Sequence, residues 1–255
     1  MITVGAAGIC CQKRSTLYSP VFGGTLTCRG PASHSRLMLF FDYLRGDRPP
    51  LIRQALKDMQ TMLDTSLEMF EDAAAALLEN EILETNLNVK DQIVNKKETE
   101  IRRAVLEHIA IDPRREMLFS LILISIVQDA ERIGDLAKSI AETARLAKGP
   151  RHGKHVETLR RLRDRIVQTF RDTREAFAKA DEEGARKAMD ESVSIKEELT
   201  DLGRVLASDD TLTPNTAIVL SMTTRMFSRT SSHLSNIASS VAMPFDQIRR
   251  PPGWE

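Results

Sequence analysis

Asp129-Ala130-Glu131-Arg132-Ile133-Gly134-Asp135-Leu136-Ala137-Lys138-Ser139-Ile140-Ala141 lies inside a long run of helical apolar spacing. Glu131 and Asp135 are four apart, so on a helix their carboxylates stack on one face. Like charges at that spacing repel by about 0.2–0.5 kcal/mol, which calls for compensation by a metal ion or a basic partner. A degraded copy follows about 97 residues later, from Arg225 to Ala238, where Arg229, Ile237 and Ala238 echo Arg132, Ile140 and Ala141. There Ser228 and Ser232 stand in place of Glu131 and Asp135. Self-similarity at such a period predicts an internally duplicated chain, one copy of which has lost its carboxylates.

Outward from that stretch the spacing predicts six long helices in two sets of three. The first opens after Pro49-Pro50 and runs from Leu51 to Glu79, with Leu56, Leu63, Leu67, Phe70, Ala74 and Leu78 near helical spacing. The second runs from Ile82 to Ile109, and Asp112-Pro113 is a stop and restart for a third reaching Ala147. Gly149-Pro150-Arg151-His152-Gly153 breaks the pattern. The fourth helix is expected over His155–Ala180, the fifth over Glu182–Leu206, and the sixth from Thr213-Pro214 to Val241. The fold class is therefore all-α: two tandem three-helix bundles, residues 38–148 and 149–245, related by a pseudo-twofold, with a tail over 246–255. On the third helix Ile122, Ile126, Ile133, Ala137, Ile140 and Ala144 form one stripe, and Glu131, Asp135 and Glu142 fall opposite it. Leu118–Val127 is apolar almost all round and is expected to be the most buried stretch.

Bulk composition agrees. Aromatic residues are 5% and charged residues 28% of the 255-residue chain, which suits aliphatic helical cores. Lys plus Arg equals Asp plus Glu at 36 each, and a dedicated nucleic-acid binder would show a basic excess. The three cysteines, Cys10, Cys11 and Cys28, sit in a leader of mixed Gly, Ser, Thr and Pro. They form no disulfide framework, and the cysteine-free remainder fits a reducing cytoplasm. Residues 1–37 are expected to be a disordered leader or to precede the true start, with Met38 as a start codon. The longest apolar run, Leu118 to Val127, is too short to span a bilayer.

A second acidic line lies on the second helix, where Asp91, Asn95 and Glu98 share one face, and Asp190, Ser194 and Glu197 are its counterpart in the second half. If the second and third helices pack antiparallel, Asp91 and Glu98 approach Glu131 and Asp135. Converging oxygen ligands of that kind suit a hard divalent or ferric ion. The plainer reading is a solvated acidic face neutralised by Lys90, Lys96, Lys97 and Arg132. None of His34, His108, His152, His155 or His233 follows a Glu by three, which disfavours a ferritin-like di-iron site. His233, beside Ser232, reads as a core or helix-surface histidine before it reads as a ligand. Gly-rich phosphate loops, nucleophile elbows, Cys-x-x-Cys and His-x-x-x-His are absent from the sequence.

Glu131-Arg132-Ile133-Gly134-Asp135 with Ile140-Ala141, preceded by Asp91 to Glu98, resembles the PhoU phosphate-uptake regulators, as does Leu44-Arg45-Gly46 ahead of Pro49-Pro50-Leu51-Ile52. The resemblance covers roughly residues 38–245. It implies two PhoU repeats and a metal site of iron, zinc, magnesium or manganese held by Asp91, Glu98, Glu131 and Asp135. Ser228 and Ser232 leave the second repeat without one. It also implies a non-enzymatic regulator that contacts a phosphate transporter or a sensor kinase, forms a homodimer, and reaches the membrane only through partners. The alternative is a metal-dependent helical enzyme acting on phosphate or polyphosphate.

Overall fold

The structure, a computed structural model, describes residues 48–83 and 85–250. The leader and Leu44-Arg45-Gly46 lie outside the described residues. Six long helices follow in order: α1 (Pro50–Leu78), α2 (Leu87–Ile111), α3 (Met117–Leu146), α4 (Lys154–Lys179), α5 (Glu182–Ala207) and α6 (Pro214–Ala242), with a short 3-10 turn at Phe245–Gln247. Among the described residues there is no strand.

Local chemistry sets most of the boundaries. Proline opens α1 and α6 at the position where its missing N–H costs nothing. The Thr213 hydroxyl accepts from the Thr216 N–H at 3.2 Å, and the Asp181 carboxylate caps α5 by accepting from the Gly184 N–H at 3.1 Å. Gly153 precedes α4 with φ of 94°, a conformation that favours glycine.

Two boundaries differ from the sequence expectation. Helix α2 begins at Leu87, not Ile82: Asn80 leaves α1 with φ of 61°, and Asn86 caps α2 by accepting from the Asn88 N–H at 3.1 Å. Ile82 stands in the intervening loop, exposed. Asp112 closes α2 instead of opening α3, and α3 starts after Glu116, which takes a left-handed φ of 57°. The apolar run at the start of α3 is not the most buried stretch either, because Leu118 and Leu121 are exposed.

Helices α1, α2 and α3 pack on one another, as do α4, α5 and α6. Across the junction α1 meets α4 and α3 meets α6, so like packs on like, as a pseudo-twofold requires. The two contacts differ in chemistry. Between α1 and α4 the ties are ionic: Arg171 to Glu71 at 2.8 Å, Arg174 to Asp64, and Arg163 to Glu79 at 2.6 Å. Between α3 and α6 the contact joins two helices rich in fully buried apolar residues, among them Ile126, Ile133, Ala137, Leu234 and Ile237, and Phe227 of α6 also packs on Phe70 of α1, with ring centroids 5.4 Å apart. One continuous hydrophobic core runs through both halves.

A single carboxylate interrupts that apolar contact. Asp129 of α3 is buried and accepts from Nδ2 of Asn236 at 2.8 Å, while Nδ1 of His233 lies 2.8 Å from the same oxygen. Arg249, after the 3-10 turn, places Nε 3.4 Å from the other oxygen. Removing the carboxylate strands two polar side chains at a dry junction. Asp129→Ala is expected to cost about 2–4 kcal/mol in urea unfolding, and Asp129→Asn less; an unchanged midpoint for the alanine variant contradicts this role.

Candidate functional site

The four carboxylates singled out by the sequence do come to one face, where α2 lies against α3. Glu131 and Asp135 are half-buried there, near enough that the Asp135 charge acts on Glu131. Glu98, across on α2, is close enough for its charge to act on Glu131. Asp91 is joined to Asp135 through a lysine: Nζ of Lys138 lies 2.8 Å from Asp91 and 2.9 Å from Asp135. Asn95 completes the line by donating to Asp91 at 3.1 Å.

The cations of this seam are only partly those the sequence suggested. Arg132 does sit here, 3.2 Å from Asp135 and 3.5 Å from Glu131, and Arg102 donates to Glu98 at 2.8 Å. Lys90 turns instead to Glu68 and Asp72 on α1, Lys97 to Asp58 and Glu100, and Lys96 to Glu100. Lys138, three residues past Asp135, is the bridge between helices.

Electrostatics follow from this arrangement. Burial and then the neighbouring Asp135 charge push the Glu131 carboxyl up to about 7. Burial also acts on Asp135, but the Lys138 ammonium outweighs it and holds that carboxyl below its ordinary range. Glu131 therefore keeps its proton into the neutral range while Asp135 is held ionised.

As arranged, these groups do not fit a metal ion. Among the described residues no three His, Cys, Asp or Glu side chains are grouped as a ligand set. The Lys138 ammonium stands between Asp91 and Asp135, where a cation between the two helices would sit. A metal would have to displace it.

In the second half the matching faces are different. Arg165 of α4 takes up part of the α5 line, bonding Ser194 at 2.9 Å, Glu191 at 2.6 Å and Glu198. Asp190 and Glu197 are exposed. Ser232 donates to the Ser228 carbonyl at 3.0 Å, so this hydroxyl is tied to its own helix. His233 is half-buried and belongs to the Asp129 junction. The signal for Asp129 was available: at 100° per residue it falls beside Ile122, Ile133 and Ile140 on the aliphatic stripe, and a carboxylate there needs a partner.

Residues 59–144, which span α1 to α3, match the PhoU domain. Over those three helices the chain is similar to the PhoU family. A PhoU homologue of Thermotoga maritima, named a phosphate-specific transport system accessory protein, is 31% identical over 90 residues, covering 35% of this chain and 38% of its own length. A PhoU homologue of the same description from Deinococcus radiodurans is 26% identical over 197 residues, covering 74% of this chain and 92% of its own. Two PhoU crystal structures share the fold. That from Pseudomonas aeruginosa has TM-score 0.68 at 20% identity, covering 75% of this chain and 95% of its own. That from Streptococcus pneumoniae has TM-score 0.65 at 16% identity, covering 74% and 92%. The PhoU domain match thus carries the Glu131–Asp135 motif of α3 and the Asp91–Glu98 line of α2.

The raised Glu131 carboxyl has a measurable consequence. Between its unfolded range near 4.5 and about 7 the folded chain holds a proton that the unfolded chain lacks. Stability therefore falls as pH rises through that window. Glu131→Gln is expected to flatten this decline, with its largest gain over wild type at pH 8. Urea midpoints at pH 5 and pH 8 with equal slopes for both proteins contradict the assignment.

Proposed function

We propose that this chain regulates phosphate transport and phosphate signalling by protein contact, without turnover, in the cytoplasm. The carrying observation is the PhoU domain over residues 59–144, together with relatives named as accessory proteins of phosphate-specific transport. No helix among the described residues is long and apolar enough to cross a membrane, so contact with a transporter is read as peripheral. The partner is a phosphate transporter, a sensor kinase, or both, and a homodimer is the expected assembly. Docking also suits the chemistry of the site. The two His–Asp pairs, His233 with Asp129 and His155 with Asp209, have no hydroxyl or thiol bonded to the imidazole among the described residues.

Within this reading the α2–α3 seam is the control point. Its carboxylates lie in a balance of ion pairs, and a partner offering or withdrawing one charge shifts that balance. A metal-dependent form of the same reading keeps Asp91, Glu98, Glu131 and Asp135 as ligands for iron, zinc, magnesium or manganese, and requires Lys138 to swing away. The alternative, a metal-dependent helical enzyme acting on phosphate or polyphosphate, needs that same metal.

The test is complementation. Cells lacking the chain receive either wild type or the variant with Asp91, Glu98, Glu131 and Asp135 all changed to Ala. The variant is expected to keep its helical circular dichroism and lose phosphate-dependent control of phosphate uptake. Normal control by a folded variant removes the seam from the function.

A further inference from the structure

The degraded second motif carries a surface that the phosphate reading leaves unused. Helix α6 has no acidic residue from Pro214 to Ala242, and its cations are Arg225 and Arg229. Both are exposed, and neither makes a hydrogen bond or ion pair with another described residue. The matching arginine of the first half, Arg132, is held by Glu131 and Asp135. Arg225 and Arg229 are one helical turn apart and repel each other. With Ser228 and Ser232 where the first half has Glu131 and Asp135, the face is open and basic, not internally neutralised.

The basic pair continues into exposed apolar surface. Ile218, 57% exposed, and Met222, 40% exposed, precede Arg225 and Arg229 at spacings of four, three and four, a single stripe along α6. Leu146, at the end of α3, adjoins its apolar end, since Nδ2 of Asn215 donates to the Leu146 carbonyl at 2.9 Å. Leu146 is 52% exposed.

We propose that this stripe is a docking surface for an acidic amphipathic helix of a protein partner. Paired carboxylates one turn apart answer Arg225 and Arg229, and leucine-like side chains on the next turn cover Ile218, Met222 and Leu146. A membrane is the less suitable occupant, because recruitment to anionic lipid takes about four to eight clustered cations and this stripe has two. Nucleic acid would call for more cations and for aromatic platforms. The proposal rests on the reading of the chain as a contact regulator only in making that partner a component of phosphate control.

The test uses the full chain and a fluorescent synthetic helix with Glu at i and i+4 and Leu at i+7 and i+11, followed by anisotropy. Wild type is expected to bind it, and Arg225→Glu/Arg229→Glu to bind at least tenfold more weakly. A peptide with Lys replacing Glu is expected to reverse that order. Helical circular dichroism checks the fold, which two exposed substitutions leave intact. Three results overturn the proposal: no binding by wild type, equal binding by wild type and variant, or binding of the stripe to phosphatidylserine vesicles but not to the peptide. A variant that loses the peptide but retains phosphate control in cells upholds the docking surface and separates it from phosphate regulation.

Discussion

The two halves of this molecule meet most extensively where α3 packs on α6 around the buried Asp129 carboxylate. Apolar packing alone is non-directional, and a seam of isoleucine, alanine and leucine permits several registers. Asp129 does not, because its oxygen must find both Asn236 and His233. That requirement sets where the second motif stands relative to the first. The ionic ties between α1 and α4 are more exposed and add less.

Once the halves are registered, their equivalent faces can be compared, and they differ in charge. The first presents carboxylates that are answered from within: Lys138 joins the helices, Arg132 and Arg102 cover the remainder, and Glu131 holds a proton into the neutral range. The second presents guanidinium groups that nothing in the described chain answers. The two halves thus carry one closed face and one open face on a common frame. A regulator that works by contact uses such asymmetry naturally, because a partner can be recognised on one face while the other sets the internal balance.

Much of this was readable from the chain itself. The helices, the duplication and the convergence of Asp91, Glu98, Glu131 and Asp135 follow from spacing, since periodicity reports which side chains share a face. What escaped depends on reach between elements. Lys138 neutralises Asp135 on its own helix, which spacing permits, but its bond to Asp91 exists only because α2 packs on α3. The start of α2 was misplaced because Ile82 and Leu83 look like a helical opening, while Asn80 and Asn86 set the real limits. Leu118 and Leu121 were expected inside because an apolar run does not distinguish a core face from an exposed one.

The central claim is that the acidic seam of the first repeat is closed by a lysine of the chain, so its charge balance needs no bound metal. The most direct measurement is metal content by mass spectrometry, with a calorimetric titration by iron, zinc, manganese and magnesium, on wild type and Lys138→Met. Wild type is expected to retain and take up none at the seam, and the methionine variant to gain a site that Asp91→Ala abolishes. Stoichiometric metal in wild type, lost on changing Asp91 and Asp135 to Ala, contradicts the account.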